Sequence, residues 1–285
     1  MTYVIADSGS TKTQWCVVSD GKEEMYHTTG INPVYLSESE IVGLLEREFA
    51  GRPRQVGRVW FYGAGCAFPE KNEFVRRALC RCFGTAEAEV MTDLEGAARA
   101  LCGCNPGIVC ILGTGSNSCY YDGEMIRENV SPLGFILGDE GSGAVLGKKL
   151  LADVLKGVAP GEVKQLFFRE TGLTYAELMD RIYGRPLANR FLATFTTFLS
   201  AHIDMPYIEG LVSGSFDEFI RRNILQYKMA QQLPVSFTGS VACVFRPQLE
   251  RLLLQNGLQP GRFMPAPMQG LITYHRDLSL IHISE

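Results

Sequence analysis

The stretch Ile108-Val109-Cys110-Ile111-Leu112-Gly113-Thr114-Gly115-Ser116-Asn117-Ser118 carries the plan of the chain. A short apolar run enters a turn of glycines and small polar residues. A second run, Cys119-Tyr120-Tyr121, leaves it and stops at Asp122-Gly123. This pattern predicts two strands joined by a tight hairpin. Glycines give such a turn access to positive φ and let a ligand approach the main chain. With exposed N–H groups and hydroxyls beside them, the turn can wrap a phosphate. A lone Gly-x-Gly is more often an ordinary hairpin turn. The beginning of the chain supplies a partner that favours the phosphate reading.

There, Tyr3-Val4-Ile5-Ala6 reads as a strand and Asp7-Ser8-Gly9-Ser10-Thr11-Lys12-Thr13 as a small polar turn. Gln14-Trp15-Cys16-Val17-Val18 resumes a strand and ends at Ser19-Asp20-Gly21-Lys22. Both halves thus follow one design: strand, phosphate-type turn, strand, Asp-Gly turn, strand. Gly113 lies 106 positions after Asp7. A repeat this long implies two similar domains, since solenoid units run about 20–50 residues. At 285 residues the chain has the length for both.

Composition narrows the functional classes. The chain is 46% hydrophobic and 20% charged, with a net charge of −4. That balance argues against nucleic acid as the main partner. No run is apolar and long enough to span a bilayer, so no membrane partner is expected. Asp7 follows only four strand-like residues, which is no signal peptide. Nine cysteines without an export signal point to a reducing, cytoplasmic setting. The pairs Cys80/Cys82 and Cys102/Cys104 lack the usual zinc-site spacing and read as core or interface residues.

Along the chain, strands are expected near 3–6, 13–19 and 24–29, and Asn32-Pro33 breaks the pattern as a turn former. Ser37 or Ser39 caps a helix carrying Ile41, Leu44, Leu45 and Phe49. Val59–Tyr62 is a buried strand followed by Gly63-Ala64-Gly65-Cys66, and Pro69 opens a helix. Glu89-Val90-Met91 is a strand, after which Thr92 caps a helix that begins with Asp93. Asp93 has two readings. As a first-turn carboxylate it complements the helix dipole, worth about 0.3–1 kcal/mol. As a catalytic base it stands at the carboxyl end of a strand, where ligands of open α/β sheets bind. The two phosphate-type turns favour the second reading.

In the second half, Glu124–Glu128 is a third strand. Gly138-Asp139-Glu140-Gly141-Ser142-Gly143 then sets two acids between glycines. Such acids bind something or cap the helix expected over 144–155, and ligand binding is favoured. Helices are expected over 162–170, 175–183, 187–202 and 216–232. Pro234–Thr238 is a strand, and Gly239-Ser240 opens a helix continuing through Phe245 to Leu254, with N–H groups for an anion or nucleotide. Ala266–Leu271 opens the last helix, and Leu278–Glu285 fits no element.

In combination, these motifs resemble the N-acetylglucosamine kinase and BadF/BadG-type ATPase family of the actin-like sugar kinase superfamily. The motifs are Asp-x-Gly-x-Thr-Lys-Thr at Asp7, Thr92-Asp93, Gly-Thr-Gly-Ser-Asn at Gly113, Gly-Asp-Glu-Gly-Ser-Gly at Gly138 and Gly-Ser-Val at Gly239. They occur in family order from about residue 3 to 275, and the Gly-x4-Gly-Lys-Ser/Thr nucleotide loop is absent. The resemblance implies an α/β fold of two ribonuclease-H-like (actin-like ATPase) domains with a central cleft. These would span residues 1–105 and 106–285, the second with a helical insert and the last helix packing back on the first domain. It implies an enzyme that phosphorylates an amino sugar with ATP and Mg2+, with a homodimer as the candidate assembly.

Carried over by motif, Asp7, Gly9, Ser10, Thr11, Lys12, Thr114, Gly239 and Ser240 bind ATP, and Asp7 holds magnesium through water. Asn32, Asp93, Ser116, Asn117, Gly138 and Asp139 hold the sugar, with Asp93 as the base. Pro132-Leu133-Gly134-Phe135 stands where many members carry a Gly-Gly-Trp-Gly type segment. A rival with the same fold is the ATPase activator of 2-hydroxyacyl-CoA dehydratases, which carries an iron–sulfur cluster between subunits. A non-catalytic sugar-binding protein is a third reading, disfavoured by Asp93 standing with both phosphate loops.

Overall fold

The computed structural model describes residues 2–9, 11–49 and 51–281. The chain divides into two compact units. The first comprises Met1–Asn105, Gly123–Met125 and Ala266–Glu285, and the second Pro106–Asp122 and Ile126–Pro265.

The first unit is built on β1 (Tyr3–Ser8), β2 (Lys12–Ser19) and β3 (Lys22–Thr29), then α1 (Glu38–Glu48), β4 (Arg58–Gly63), α2 (Pro69–Phe83), β5 (Ala88–Thr92) and α3 (Asp93–Cys102). The sheet order is β3-β2-β1-β4-β5. β1–β2–β3 form an antiparallel meander, while β4 and β5 run parallel to β1. Local chemistry sets the boundaries. Ser37 and Glu40 form a reciprocal cap on α1, Pro69 occupies the first turn of α2, and Gly84 closes α2 at φ 60°.

Strand alternation assigns each face of this sheet a different cover. Val4, Ala6, Trp15, Val17, Val59 and Phe61 face α1 and α2. Trp15 is the centre of that layer, with the rings of Phe49, Phe61 and Phe83 5.3, 6.0 and 5.7 Å away. Its indole N–H donates to Thr28 Oγ1 at 3.0 Å. On the opposite face, Ile5, Cys16, Val18 and Tyr62 pack with Ala100 of α3 and with Met268, Leu271 and Ile272. Those last three belong to the C-terminal helix, Met268–Ile281. The helix comes so close to α3 that a Cβ on Gly270 would overlap the Ala100 carbonyl. Burial and the charges of Arg99 and Arg58 push the His275 pKa down to about 3, and its Nε2 pairs with the Tyr62 hydroxyl at 2.8 Å. The segment over 278–281 is therefore helical, whereas the sequence placed no element there; residues 282–285 lie outside the described residues.

The second unit repeats the strand plan with β6 (Gly107–Leu112), β7 (Ser116–Tyr121) and β8 (Ile126–Glu128). There follow α4 (Gly134–Leu137), α5 (Gly143–Lys156), α6 (Gly161–Thr171), α7 (Tyr175–Met179), α8 (Ala188–Ala193), α9 (Thr196–Ala201) and α10 (Pro206–Arg222). Then come β9 (Pro234–Thr238), α11 (Ser240–Val244), α12 (Arg246–Gln255) and β10 (Gln259–Met264). The order β10-β9-β6-β7-β8 is that of the first sheet once β6 is set on β1. Leu146, Leu150, Phe167, Phe216, Phe219, Phe237 and Phe245 form one continuous core under the helices.

Several helices depart from the periodicity. The expected helix over 187–202 is two, separated near Thr194. Threonine hydroxyls there bond back to carbonyls three residues earlier, Thr194 to Phe191 O and Thr197 to Thr194 O, and compete with the helical ladder. The helix expected over 216–232 instead starts at Pro206, which sits in its first turn, and ends at Arg222. The helix expected from Ser240 to Leu254 breaks at Phe245. β10 was not expected from the sequence; it pairs with β9 through a register shift between Pro260 and Phe263.

Candidate active site

In the first unit, the carboxyl ends of three parallel strands align, with Ser8 beside Gly63 and Gly63 beside Thr92. Asp7 shares the sheet face of Ile5 and has Tyr62 as its register partner, so its carboxylate stands on the α3 side. Asp93 follows Thr92 as the first residue of α3. The capping task falls to Thr92, whose Oγ1 accepts the Glu95 N–H at 3.1 Å. Asp93 Oδ1 accepts the adjacent Leu94 N–H, at 2.9 Å.

Both carboxyls are raised, and Asp7 also feels the charge of Asp93. Burial first, and then the charge of Asp93, push Asp7 up to about 7, against an opposing pull from Lys12. Burial likewise raises Asp93, partly offset by the N–H groups of Leu94 and of Asp93 itself. Two carboxylates in one partly desolvated corner favour a shared proton or a bound cation. Next to them, burial and then Asp93 push the Cys66 thiol up to about 12, which leaves it a poor nucleophile.

The neighbouring loops are tightly determined. Ser8 Oγ meets Thr13 Oγ1 at 2.7 Å and lies 3.0 Å from both the carbonyl and the N–H of Ile31, fixing the approach to Asn32. Asn32 Oδ1 accepts the Val34 N–H at 2.9 Å. Gly65 holds φ +82°, and a Cβ there would overlap Asn32 Oδ1. In sequence, Gly65 and Cys66 simply follow a strand; the structure sets them against Asn32 and Asp93. Gly9, Thr11 and Lys12 form an exposed turn in which the Gly9 N–H donates to Lys12 O at 3.1 Å. Ser10 lies outside the described residues.

In the second unit, the Gly113–Gly115 turn rests on the start of α5. The Gly143 and Ala144 N–H groups donate to the carbonyls of Gly113 and Thr114 at 2.8 and 3.1 Å. Ser142 caps α5 by accepting the Val145 N–H at 3.2 Å. The amides at the start of α5 are thus consumed internally, and neither Asp139 nor Glu140 is a cap. Thr114 stays exposed.

Asp139 adopts the left-handed region, at φ 56°. Burial pushes its pKa up to about 6, the Ser116 N–H pulls it down, Glu140 pushes it up and Lys148 opposes. A Cβ on Gly115 would stand 3.0 Å from Asp139 Oδ2, so glycine permits the approach. Ser116 and Asp139 are therefore brought together. Asn117 is not, because strand alternation turns it to the other face, where its Oδ1 accepts from the Ser118 N–H and Asn129 Nδ2 at 2.9 and 3.0 Å. Gly138 is required by its neighbours, since a Cβ there would overlap Pro132 O.

Gly239, at φ +118°, lies directly on the Gly113 turn, where a Cβ would overlap Leu112 O and stand 3.3 Å from Gly113 N. Ser240 opens α11, a helix of only five residues, so its N-terminal dipole is weaker than the long helix expected from sequence. Thr238 Oγ1, one residue earlier, is buried with no hydrogen-bond partner among the described residues; nothing in the sequence marked it. An orphaned hydroxyl beside a glycine-lined turn fits a polar ligand such as a nucleotide phosphate.

The cysteine pairs have ordinary places. Cys82 is buried in the layer under α2, Cys80 and Cys102 are half-buried, and Cys104 is exposed. Among the described residues, no group of three or more His, Cys, Asp or Glu could hold a metal ion. Nor does any described helix have the length and apolarity to cross a membrane.

Neither a scan against protein-family models nor a search of curated proteins found a match. Solved structures did. A protein of Porphyromonas gingivalis, provisionally designated an N-acetylglucosamine kinase, is 45% identical, with 96% of this chain and 99% of that one covered and a TM-score of 0.91. A protein of Chromobacterium violaceum with the same provisional designation is 19% identical over 96% and 98% of the two chains, with a TM-score of 0.74. A ROK family glucokinase from Streptomyces griseus, solved with glucose and AMPPNP, is 14% identical over 98% and 99%, with a TM-score of 0.56. The last two share the fold.

Proposed function

Because the chain belongs to the N-acetylglucosamine kinase and BadF/BadG-type ATPase family, we propose that it is a kinase transferring the γ-phosphoryl group of ATP to a hydroxyl of an amino sugar, N-acetylglucosamine first among them. The observation that carries the reading is the carboxylate pair Asp7 and Asp93, each raised by burial at the carboxyl ends of parallel strands. Phosphoryl transfer needs positioning and charge stabilisation more than covalent help.

The roles divide as follows. Asp93 takes the proton of the attacking hydroxyl as its oxygen bonds to the γ-phosphorus and the bond to the ADP oxygen breaks. A raised carboxylate is a stronger base at neutral pH, and a positioned base contributes about 10²–10⁴-fold. Asn32, Ser116, Gly138 and Asp139 hold the sugar, whereas Asn117, on the opposite face of its strand, is left out of that set. Gly9, Ser10, Thr11, Lys12, Thr114, Gly239 and Ser240 receive the nucleotide, and the unpartnered Thr238 hydroxyl joins them.

Asp7 would hold the magnesium ion that accompanies ATP. An oxygen donor next to a second carboxylate suits a hard cation, which takes one or two carboxylates with water and phosphates. When bound, that ion neutralises phosphate charge. Need for ATP and the nine free cysteines favour the cytoplasm. A homodimer is the assembly to test by light scattering.

A coupled ADP-release assay over N-acetylglucosamine, N-acetylmuramic acid, glucosamine and glucose tests the proposal, with Asp93→Asn as control. The expected result is turnover on N-acetylated amino sugars that collapses in the variant. Absence of sugar-dependent ADP release across the panel would refute it.

A further inference from the structure

Asp139 and Glu140 are neighbours in the chain with opposite allegiances. Asp139 turns to the Ser116 N–H. Glu140 turns back to the end of α10, where its Oε1 lies 2.9 Å from Arg222 Nη1 and its Oε2 accepts from Asn223 Nδ2 at 3.4 Å. Glu140 and Asn223 are both buried. Arg222 also reaches Glu218 Oε1 at 3.3 Å, and Glu218 receives Lys149 Nζ of α5 at 2.6 Å. A buried carboxylate gives up hydration that its ion pair only partly returns, and an apolar residue of similar size often serves stability as well. Stability alone is therefore a weak reason for Glu140.

The backbone supplies a better one. Asp139 holds a left-handed conformation that non-glycine residues seldom adopt. Such a conformation persists only where the surroundings over-determine it. On one side the Asp139 N–H donates to Pro132 O at 2.9 Å. On the other, its carbonyl accepts the Ser142 N–H at 3.0 Å. Between these ties, the side chain of the next residue is the anchor that faces away from the site.

We propose that Glu140, clamped by Arg222 and Asn223, is a positioning residue that aims the Asp139 carboxylate and so sets sugar affinity. The inference rests on the reading of Asp139 as a sugar contact. With the clamp weakened, the 139–141 segment relaxes toward ordinary backbone and the carboxylate leaves the Ser116 N–H. The Gly113–Thr114 turn is held separately, by the Gly143 and Ala144 N–H groups. Nucleotide affinity is therefore spared.

Steady-state kinetics of the full chain, varying N-acetylglucosamine at saturating ATP and the reverse, test this in Arg222→Ala, Arg222→Lys, Glu140→Gln and Asp139→Asn. Arg222 is 59% exposed in its side chain, so its variants fold even if Glu140→Gln does not. Arg222→Ala should raise the sugar KM about tenfold, with kcat within about threefold and the ATP KM within about twofold of wild type. Arg222→Lys should recover most of that loss, and Asp139→Asn should raise the sugar KM at least as far. The inference alone falls if Asp139→Asn raises the sugar KM while Arg222→Ala leaves it at the wild-type value or raises both KM values equally. Should Asp139→Asn itself leave the sugar KM unchanged, the assignment of Asp139 to the sugar falls, and the inference with it.

Discussion

Replacing Asp7 by Asn should make the first unit more stable at pH 8 and scarcely change it at pH 4. In the folded chain the Asp7 carboxyl titrates at about 7, about three pH units above the ordinary range near 3.9. The folded state therefore holds this proton more tightly than the unfolded chain does. That contribution to stability is complete below about pH 4 and is lost as pH rises through 7. Above pH 7 the wild-type protein carries a desolvated carboxylate next to Asp93, and the Asn variant does not.

At 1.36 kcal/mol per pH unit the ceiling is about 4 kcal/mol. Asp7 is only half-buried, and solvent screening brings the expected gain to about 2 kcal/mol. With a urea slope of about 2 kcal/mol per molar, the midpoint should move up by about 1 M at pH 8. Trp15 and Trp60, the two tryptophans, both lie in the first unit, so their fluorescence during urea unfolding in EDTA reports on the unit carrying Asp7. An Asn variant that is no more stable than wild type at pH 8, or that gains equally at both pH values, would refute the coupling of Asp7 to burial and to Asp93.

Other expected outcomes follow from the same geometry. Asp93→Asn should lower kcat at least about 100-fold while calorimetry still detects sugar binding; near-wild-type turnover would remove Asp93 from proton transfer. Gly65→Ala forces a side chain into positive φ and onto Asn32, so it should cost about 1–3 kcal/mol and raise the sugar KM; unchanged thermal unfolding and KM would contradict the contact. Gly239→Ala would press its methyl into Leu112 O, distorting the Gly113 turn, and should weaken ATP binding more than sugar binding in paired titrations.

Much of this fold is legible because it is local. Ser37 with Glu40, Thr92 before Asp93, and Pro69 each act within one helical turn, and the structure uses all of them as caps or first-turn residues. The hairpins at Gly9 and Gly113 follow from glycines between apolar runs. What sequence concealed depends on distant pairing. β10 contains Pro260 and Gly261, has no alternating pattern, and becomes a strand only by lying along β9. Thr238 gains its isolation from packing that no spacing encodes. The split of Ser116 from Asn117 was readable in principle, since adjacent residues on a strand face opposite ways. The opposed duties of Asp139 and Glu140 were not, because a left-handed aspartate cannot be told from a helix cap by composition.

The C-terminal helix has a consequence for how the protein is made. On the ribosome, residues 1–105 emerge with Ile5, Cys16, Val18 and Tyr62 lacking the cover that Met268, Leu271 and Ile272 later provide. A face of the sheet translated early is thus sealed by a segment translated much later. A premature stop or a bulky fusion near residue 268 would therefore injure a sheet laid down long before it, leaving the Asp7 and Asp93 side greasy and open to chaperones.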